Sequence, residues 1–276
     1  MNKTVHQTGK PWSPAEDIPG RGVNSIENGG RLLTSFIEAG RPLMLKELVK
    51  ASELPAGQAH AYLLSFRRLG LVEHDPGVPG RYRLGPLALH LGLAKLRGLD
   101  SLQLVEEAVP EFSQCIGLMV AVTIWGTHGP TIVRVQEASH QIHANVRAGV
   151  VFSLTGTATG RLFAAFMPSK LIDALVKAEL RDATRQHIGT PGLSLKSIRK
   201  DMLEIRTLGY SVTEGKPVPG INAISAPVFD QTGHIQLAVT AIGPSSVVDC
   251  SVGSPLVEKV GSFAERISAQ LGYVPT

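Results

Sequence analysis

Residues 54–84, LPAGQAHAYLLSFRRLGLVEHDPGVPGRYRL, constrain the fold more than any other stretch of this chain. Pro55 suits the first position of a helix, where a missing N–H is no loss, and Gly70 suits its C-terminal end. Between them one helical face is apolar, with Ala59, Tyr62, Leu63, Phe66 and Leu69. Beyond Gly70, two extended runs flank DPGVPG, whose prolines and glycines predict a turn. The stretch therefore predicts a helix followed by a β-hairpin.

Two more helical patterns precede this stretch. The first ends at Gly40 and places on one face Val23, Ile26, Leu33, Phe36 and Ile37. The second is short, finishes near Ala51 and is marked by Leu45, Leu48 and Val49. Three helices followed by a hairpin describe a winged helix-turn-helix, whose third helix enters the major groove of DNA. We therefore predict such a domain, mainly α-helical with a β-hairpin wing, over residues 21–84.

Affinity for duplex DNA comes largely from phosphate contacts, and bases are read at the groove edge. The predicted phosphate contacts are Arg21, Arg31, Arg67, Arg68, Arg81 and Arg83. The solvent face of the third helix carries small or polar residues, namely Ala56, Gly57, Gln58, His60, Ala61, Ser65 and Arg68. Of these, Gln58 can pair with adenine, and His60 can donate or accept at a base edge. A helical protein–protein module is the alternative that these residues leave open.

The distribution of charge is informative, since the net charge is only +4. Residues 1–100 contain 13 Lys and Arg against 9 Asp and Glu, whereas residues 101–276 contain 14 of each. A basic N-terminal unit joined to a neutral one is typical of a phosphate-binding domain attached to a sensor or assembly domain. A difference of four charges without functional meaning is the alternative.

The remainder of the chain predicts a linker helix and an α+β domain. GPLALHLGLAKLRG, within residues 85–100, carries leucines on more than one helical face and predicts a buried or dimer-forming linker. Residues 101–276 begin with a helix capped by Asp100 or Ser101 and bent or divided at Pro110. Period-two runs then predict an antiparallel sheet, with strands in LMVAVTIWG, TIVRVQEA, IHANVRAG, YSVTEG, INAISAPVFD and HIQLAVTAIG. Helices are expected in RLFAAFM, in most of residues 169–209, and from about Ser254 to Gln270.

Other classes of protein find little support. Residues 1–20 are polar and rich in Gly, Pro and Ser, and they predict a flexible tail. No segment has the length of a signal peptide or a membrane span, so we expect a cytoplasmic protein. The two cysteines, Cys115 and Cys250, are too few for a disulfide framework and lack zinc-site spacing. We expect them to be small buried side chains.

An enzyme is the main functional alternative. GTATGR lacks the Lys-Ser/Thr pair of a phosphate-binding P-loop, and the chain has no GxSxG nucleophile motif. Glu137, His140 and His143 have metal-site spacing for a helix, but on the strand predicted there residues i and i+3 point to opposite faces. We therefore expect no catalytic residues, no metal and no cofactor.

The two halves together resemble the IclR family of bacterial transcription regulators. The resemblance lies in LPAGQAHAYLLSFRRLGLVEHDPGVPGRYRLGPLALHLG, LTGTATGRLFAAFMP and IRTLGYSVTEGKPVPGINAISAPVFDQTGHIQLAVTAIGP. It implies a C-terminal GAF-like domain that binds a small metabolite, a linker helix that carries the signal, and a homodimer or a dimer of dimers. One departure is that family members usually carry Ser, Thr and Arg where this chain has Gly57, Gln58 and Ala61. Because of this departure, we expect DNA recognition to depend more on the wing, the arm near Arg21 and DNA shape.

The resemblance also implies effector-binding residues. They are Thr155, Gly156 and Thr157 in a loop at the pocket edge, and Glu214, Asn222, Ala223 and Thr240 on three strands. Backbone N–H groups of such a loop can hold a carboxylate. The alternatives are that Thr155 only caps the helix, that Thr240 only packs in the sheet and that Glu214 is solvated. An apolar lining from Trp125, Phe152 or Leu154 would favour an aromatic or other organic acid over a sugar.

The sequence thus predicts a DNA-binding regulator, not an enzyme, whose operator affinity is controlled by a small organic metabolite, an aromatic or carboxylic acid. The alternative is a ligand sensor or an enzyme whose N-terminal module is an interaction surface.

Overall fold

The computed structural model describes residues 21–98, 100–137, 146–181 and 194–275. The chain divides into two compact units, one up to residue 99 and one from Asp100 onward. The flexible tail expected for residues 1–20 lies outside the described residues, as do His140 and His143. Among the described residues, no helix is long and apolar enough to cross a membrane, and no group of three His, Cys, Asp or Glu could hold a metal ion.

The N-terminal unit is a winged helix-turn-helix, as predicted. Its elements are, in order, α1 (Asn24–Ala39), β1 (Leu43–Met44), α2 (Leu45–Ser52), α3 (Ala56–Leu69), β2 (Val72–His74), β3 (Arg81–Leu84) and α4 (Pro86–Arg97). The three strands form an antiparallel sheet in the order β1-β3-β2. Helices α1 and α3 end at Gly40 and Gly70 in the left-handed conformation, which glycine adopts without strain.

One small core holds this unit together. Its buried members come from the first three helices, from strands β1 and β2 and from the turn before α3, and they are Leu32, Phe36, Leu43, Leu48, Leu54, Ala59, Leu63 and Val72. Several residues that share a predicted apolar face remain exposed instead, namely Val23, Ile26, Ile37 and Leu69. They lie toward the helix ends or at the margin of the apolar stripe, where a three-helix core is too narrow to cover them.

The C-terminal unit is an α+β domain built on an antiparallel sheet, which confirms the predicted class. Its elements are, in order, α5 (Ser101–Ile116), β4 (Met119–Gly126), β5 (Gly129–Gln136), α6 (Ala158–Phe166), α7 (Ser169–Arg181), α8 (Leu195–Leu208), β6 (Ser211–Glu214), β7 (Ile221–Phe229), β8 (Ile235–Pro244) and α9 (Pro255–Gln270). The strand order is β5-β4-β8-β7-β6, with every neighbouring pair antiparallel.

Helices cover this sheet. Strand β8 is buried continuously from Leu237 to Gly243, so both of its faces are covered. Both α6 and α9 pack against β7 and β8, and α8 packs against α6. This arrangement places the N-terminus of α6 and the start of α8 near the edge strand β6.

Some boundaries differ from those expected. Pro110 lies inside α5, which is a single helix and is not divided there. Half of the strand expected in IHANVRAG, residues 142–145, lies outside the described part of the chain, and residues 146–149 form a loop and turn, not a strand. Val151 instead forms an isolated bridge to Thr131. Helix α6 begins at Ala158, three residues before RLFAAFM, because Thr157 caps it by accepting a hydrogen bond from the Gly160 N–H at 2.9 Å.

Candidate functional site

Helix α3 exposes mainly small and polar residues to solvent, together with the side chains of Leu64 and Leu69. Its inner face is anchored by Ala59 and Leu63, which are buried. The residues expected on its outer face are all exposed, namely Ala56, Gly57, Gln58, His60, Ala61, Ser65 and Arg68. The Ser65 hydroxyl donates to the Ala61 carbonyl at 3.0 Å, so its oxygen remains able to accept a further hydrogen bond.

The predicted phosphate contacts fall into two groups. Arg67 and Arg68 lie exposed in the last turn of α3, and no hydrogen bond or ion pair to either side chain is found among the described residues. Arg21 is also exposed, three residues before α1. By contrast, Arg31 and Arg83 already have acidic partners.

The acidic partners of Arg31 and Arg83 make these two arginines less available for phosphate contacts. Arg31 binds Glu53 at 2.8 Å, and the Arg83 Nε donates to Glu73 at 2.7 Å across the wing. Both pairs are solvent-exposed, so they contribute little stability and a phosphate can replace the carboxylate.

Arg81 is held differently, because its guanidinium donates to the Pro42 carbonyl at 3.2 Å. That bond links the wing to the chain just before β1. Arg81 therefore has a structural role in addition to any contact with DNA.

The C-terminal unit contains a cavity of about 460 Å³ beside β6. Its walls come from the loop before α6, from α6, α8 and β6, and from the turn after β6, and they consist of Thr155, Gly156, Arg161, Ser197, Ile198, Asp201, Val212, Thr213, Glu214 and Lys216. Only Ile198 and Val212 are apolar. No histidine or cysteine belongs to this lining within the described residues; its charged members are Arg161, Asp201, Glu214 and Lys216.

The structure brings three of the expected effector residues to this cavity, Thr155, Gly156 and Glu214. Two of the others have hydrogen bonds that tie them into the fold. Thr157 caps α6 and donates to the Ser153 carbonyl at 2.8 Å. Asn222 accepts from the Gly215 N–H and donates to the Val248 carbonyl, each at 2.9 Å.

The remaining two, Ala223 and Thr240, are also absent from the cavity lining. Thr240 is buried between Thr159 at 2.8 Å and Ser225 at 2.9 Å, so it packs inside the sheet region. Ala223 pairs with Thr213 in the sheet. The apolar lining expected from Trp125, Phe152 and Leu154 is not found at this cavity either, and the Trp125 ring packs on Phe163.

Arg161 is a cavity residue that the sequence did not indicate as a site. Its Nε donates to Asp201 at 2.6 Å, its Nη2 also binds Asp201, and its Nη1 donates to the Val212 carbonyl at 2.8 Å. A guanidinium carries five N–H donors, so two remain for a ligand. A sequence signal did exist on α8, where Ser197 and Asp201 are four residues apart and so share one helical face.

Glu179 is a second residue that the sequence analysis missed, on α7. It is 8% exposed, and its carboxylate binds the loop that carries Thr155. The signal for it was its spacing, because Ile172, Val176 and Glu179 follow one helical face, of which the first two are buried apolar residues.

Beside β6 the environment disfavours a reactive thiol. Burial, together with the nearby carboxylates of Glu214 and Asp249, raises the pKa of the Cys250 thiol to about 11. Burial also raises the pKa of the Tyr210 hydroxyl. Both groups are therefore protonated near neutral pH and are poor nucleophiles.

Known proteins resemble this chain over almost its whole length. The HTH-type transcriptional repressor AllR of Klebsiella pneumoniae is 23% identical over 272 residues, which cover 98% of each chain. The structure of HmgR from Pseudomonas aeruginosa is 29% identical with a TM-score of 0.81, covering 92% of this chain and 100% of that one. The repressor BlcR of Agobacterium tumefaciens shares the fold, with 22% identity, a TM-score of 0.73 and coverage of 93% and 100%.

Two family descriptions cover the two units separately. The IclR helix-turn-helix domain matches residues 25–76, and the bacterial transcriptional regulator IclR C-terminal domain matches residues 94–269. Helix α3 thus lies within the helix-turn-helix domain of this family, and the cavity lies in the domain that follows it. The chain belongs to the IclR family of bacterial transcriptional regulators.

Proposed function

We propose that this regulator binds an operator through α3 and the wing, and that a small organic metabolite in the cavity beside β6 changes its operator affinity. The observation that carries the proposal is the pair Arg67 and Arg68, whose side chains have no partner among the described residues, on a helix whose first two turns expose small and polar residues. Small side chains let a helix approach the base edges closely, and the arginines supply phosphate contacts.

Gln58 and His60 are the proposed base contacts, and Ser65 is a further polar contact on the same face. Arg21, Arg31, Arg81 and Arg83 are proposed as phosphate contacts from the arm, α1 and the wing. Because three of these four already bind groups of their own chain, Arg67 and Arg68 are expected to contribute most.

The test is binding of the full chain to the DNA upstream of its own gene, measured by fluorescence anisotropy between 50 and 300 mM salt. The Arg67→Ala/Arg68→Ala variant should bind more weakly, and its slope of log K against log salt should be shallower by about 2, since each lost phosphate contact removes about 0.9. Lys170→Ala/Lys177→Ala is the matched control, because it removes two exposed charges from α7.

Equal slopes in both double variants would contradict the proposed face. Salt-independent or absent binding of the wild type would support the alternative, a ligand sensor whose N-terminal module is an interaction surface. Only a specific loss in the α3 variant supports the proposal.

The cavity lining supports a polar effector. Arg161 and Lys216 can bind a carboxylate, while Asp201 and Glu214 accept hydrogen bonds from hydroxyl or amide groups. We therefore propose an organic acid that also carries polar substituents, with Thr155, Gly156 and Glu214 as contacts. Candidate compounds are first compared by how much each raises the melting temperature of the wild type and of Lys216→Ala. Those that stabilise the wild type more are then added to the operator titration, where an effector should change the dissociation constant for DNA.

We also propose that the protein is a repressor and acts as a homodimer or a dimer of dimers. The relatives AllR and BlcR are named as repressors, which supports the first statement. Exposed leucines on α4, Leu89, Leu91 and Leu93, support self-association, since large apolar side chains clustered on one element favour burial. Multi-angle light scattering checks the assembly, and derepression of the adjacent genes after deletion checks the direction of control.

A further inference from the structure

The loop before α6 surrounds a carboxylate that belongs to the chain itself. Glu179 Oε1 accepts from the Ser153 hydroxyl at 2.5 Å, from the Thr155 hydroxyl at 2.6 Å and from the Thr155 N–H at 3.1 Å. Glu179 Oε2 accepts from the Leu154 N–H at 2.8 Å. Two hydroxyls and two backbone amides therefore converge on one buried carboxylate.

Such an arrangement is an anion-binding nest. A buried carboxylate is costly unless hydrogen bonds replace its water shell, and here four donors do so. Among the described residues no ion pair to Glu179 is found, and these four donors compensate its burial. The loop is thus shaped to hold a carboxylate.

The same loop forms one wall of the cavity through Thr155 and Gly156. Its donors are nevertheless already engaged. The Thr155 N–H and hydroxyl donate to Glu179, and the Gly156 N–H donates to the Ser153 hydroxyl oxygen at 2.9 Å. A ligand carboxylate at this wall would have to displace the side chain of Glu179, which extends from α7, from these donors.

We propose that Glu179 is a specificity-determining residue: it fills the carboxylate nest of residues 153–155 and so closes this wall of the cavity to an anionic ligand. Recognition of an effector's carboxylate then falls to Arg161 and Lys216 on the remaining walls. The inference rests on the proposed function of the cavity as the effector site, but the nest itself can be tested without DNA and without a known effector.

Truncation of Glu179 to Ala tests the nest directly. The truncation removes Cγ, Cδ and the two carboxylate oxygens, which are the heavy atoms of acetate. We expect Glu179→Ala to melt several degrees below the wild type, as a domain of this size does after losing a buried network. Sodium acetate should restore the melting temperature in a saturable way, because a ligand that binds only the folded state stabilises it.

The comparisons are chosen to isolate the carboxylate and the site. At equal concentration, sodium chloride controls for ionic strength, acetamide for size without charge, and propionate for one additional methylene, which a well-packed space resists. None of the three should raise the melting temperature of Glu179→Ala as much as acetate does. The wild type and the exposed Glu204→Ala variant on α8 should show a much smaller acetate shift than Glu179→Ala, because their nest is already filled by Glu179.

Several results would overturn the proposal. They are an acetate shift in the wild type as large as in Glu179→Ala, an equal shift with acetamide, and no acetate shift in the variant. If Glu179→Ala does not fold, refolding with and without acetate is compared, and recovery that does not depend on acetate contradicts the nest. Loss of operator binding would refute the proposed function and leave this result unchanged.

Discussion

At the scale of single residues, Gly160 is, among the described glycines, the one where an added Cβ would come closest to a neighbouring atom. A Cβ there would lie 1.8 Å from the Ser153 carbonyl oxygen, so any side chain must push the loop that holds Glu179 away from α6. We expect Gly160→Ala to lower the free energy of unfolding by about 3 kcal/mol, at the upper end for overpacking. Urea denaturation measures it.

Gly261 in α9 is the matched control, since a Cβ there meets nothing within 4 Å. Gly261→Ala should raise the free energy of unfolding by about 0.5 kcal/mol, because alanine loses less conformational freedom in a helix. Equal effects of the two substitutions would show that the contact between Gly160 and Ser153 is not formed.

The buried thiol of Cys250 predicts a dependence of stability on pH. Its folded pKa of about 11 lies above the ordinary value, so the folded state keeps a proton that the unfolded state releases. The resulting stabilisation is complete below the unfolded pKa and is lost as the pH rises toward 11. The difference in unfolding free energy between wild type and Cys250→Ala should therefore decrease between pH 8.5 and 11.

Urea titrations of both proteins at each pH measure that difference, and other alkaline titrations cancel in it. A difference that stays constant with pH would show that Cys250 has an ordinary pKa. A difference that grows as the pH rises would show that folding lowers the pKa of Cys250.

At the scale of elements, the Arg161–Asp201 pair joins α6 to α8. Both side chains are about three-quarters buried, at 26% and 29% exposure, and two hydrogen bonds align them. A double-mutant cycle with Arg161→Ala and Asp201→Ala should give a coupling free energy of about 2 kcal/mol.

The Asp173–Arg199 pair between α7 and α8 serves as the comparison, because it also joins two helices but its arginine is 61% exposed. Its coupling should be about 0.5 kcal/mol or less, as for other surface ion pairs. Similar couplings for the two pairs would contradict the argument that partial burial and paired geometry strengthen the first.

Most elements could be predicted from local pattern, and the exceptions have physical reasons. Helix α3 and the hairpin strands β4 and β5 follow from periodicity and from turn residues at their ends. Strand β1 was not predicted, because two residues carry no detectable period and the strand exists only by pairing with β3. The order of the sheet was also beyond local pattern, since β4 pairs with β8 more than a hundred residues later.

The candidate site was only partly predictable for the same reason. Resemblance to a family indicated the loop at Thr155 and the acidic Glu214, which do lie at one cavity. The bonds of Arg161 to Asp201 and of Glu179 to Thr155 join residues 40 and 24 positions apart. Such contacts depend on how helices pack and cannot be inferred from spacing within one element.

At the scale of the whole molecule, the two units have separate cores and different charge. The N-terminal unit relies on one small cluster around Leu32 and Leu63, whereas the C-terminal unit buries a five-stranded sheet beneath several helices. Small domains bury a smaller fraction of their surface and are correspondingly less stable. The N-terminal unit should therefore unfold first.

Calorimetry of the full chain should accordingly resolve two transitions. Leu63→Ala truncates a side chain that is 1% exposed in the N-terminal core. It should lower the temperature of the first transition only, because that unit loses about 3 kcal/mol of stability. Phe163→Ala, which truncates a fully buried ring of the C-terminal core, should lower only the second, by about 4 kcal/mol. A compound that binds the cavity should raise the second transition alone. If one transition moves with both substitutions, the two cores unfold as a single cooperative unit and have no separate stabilities.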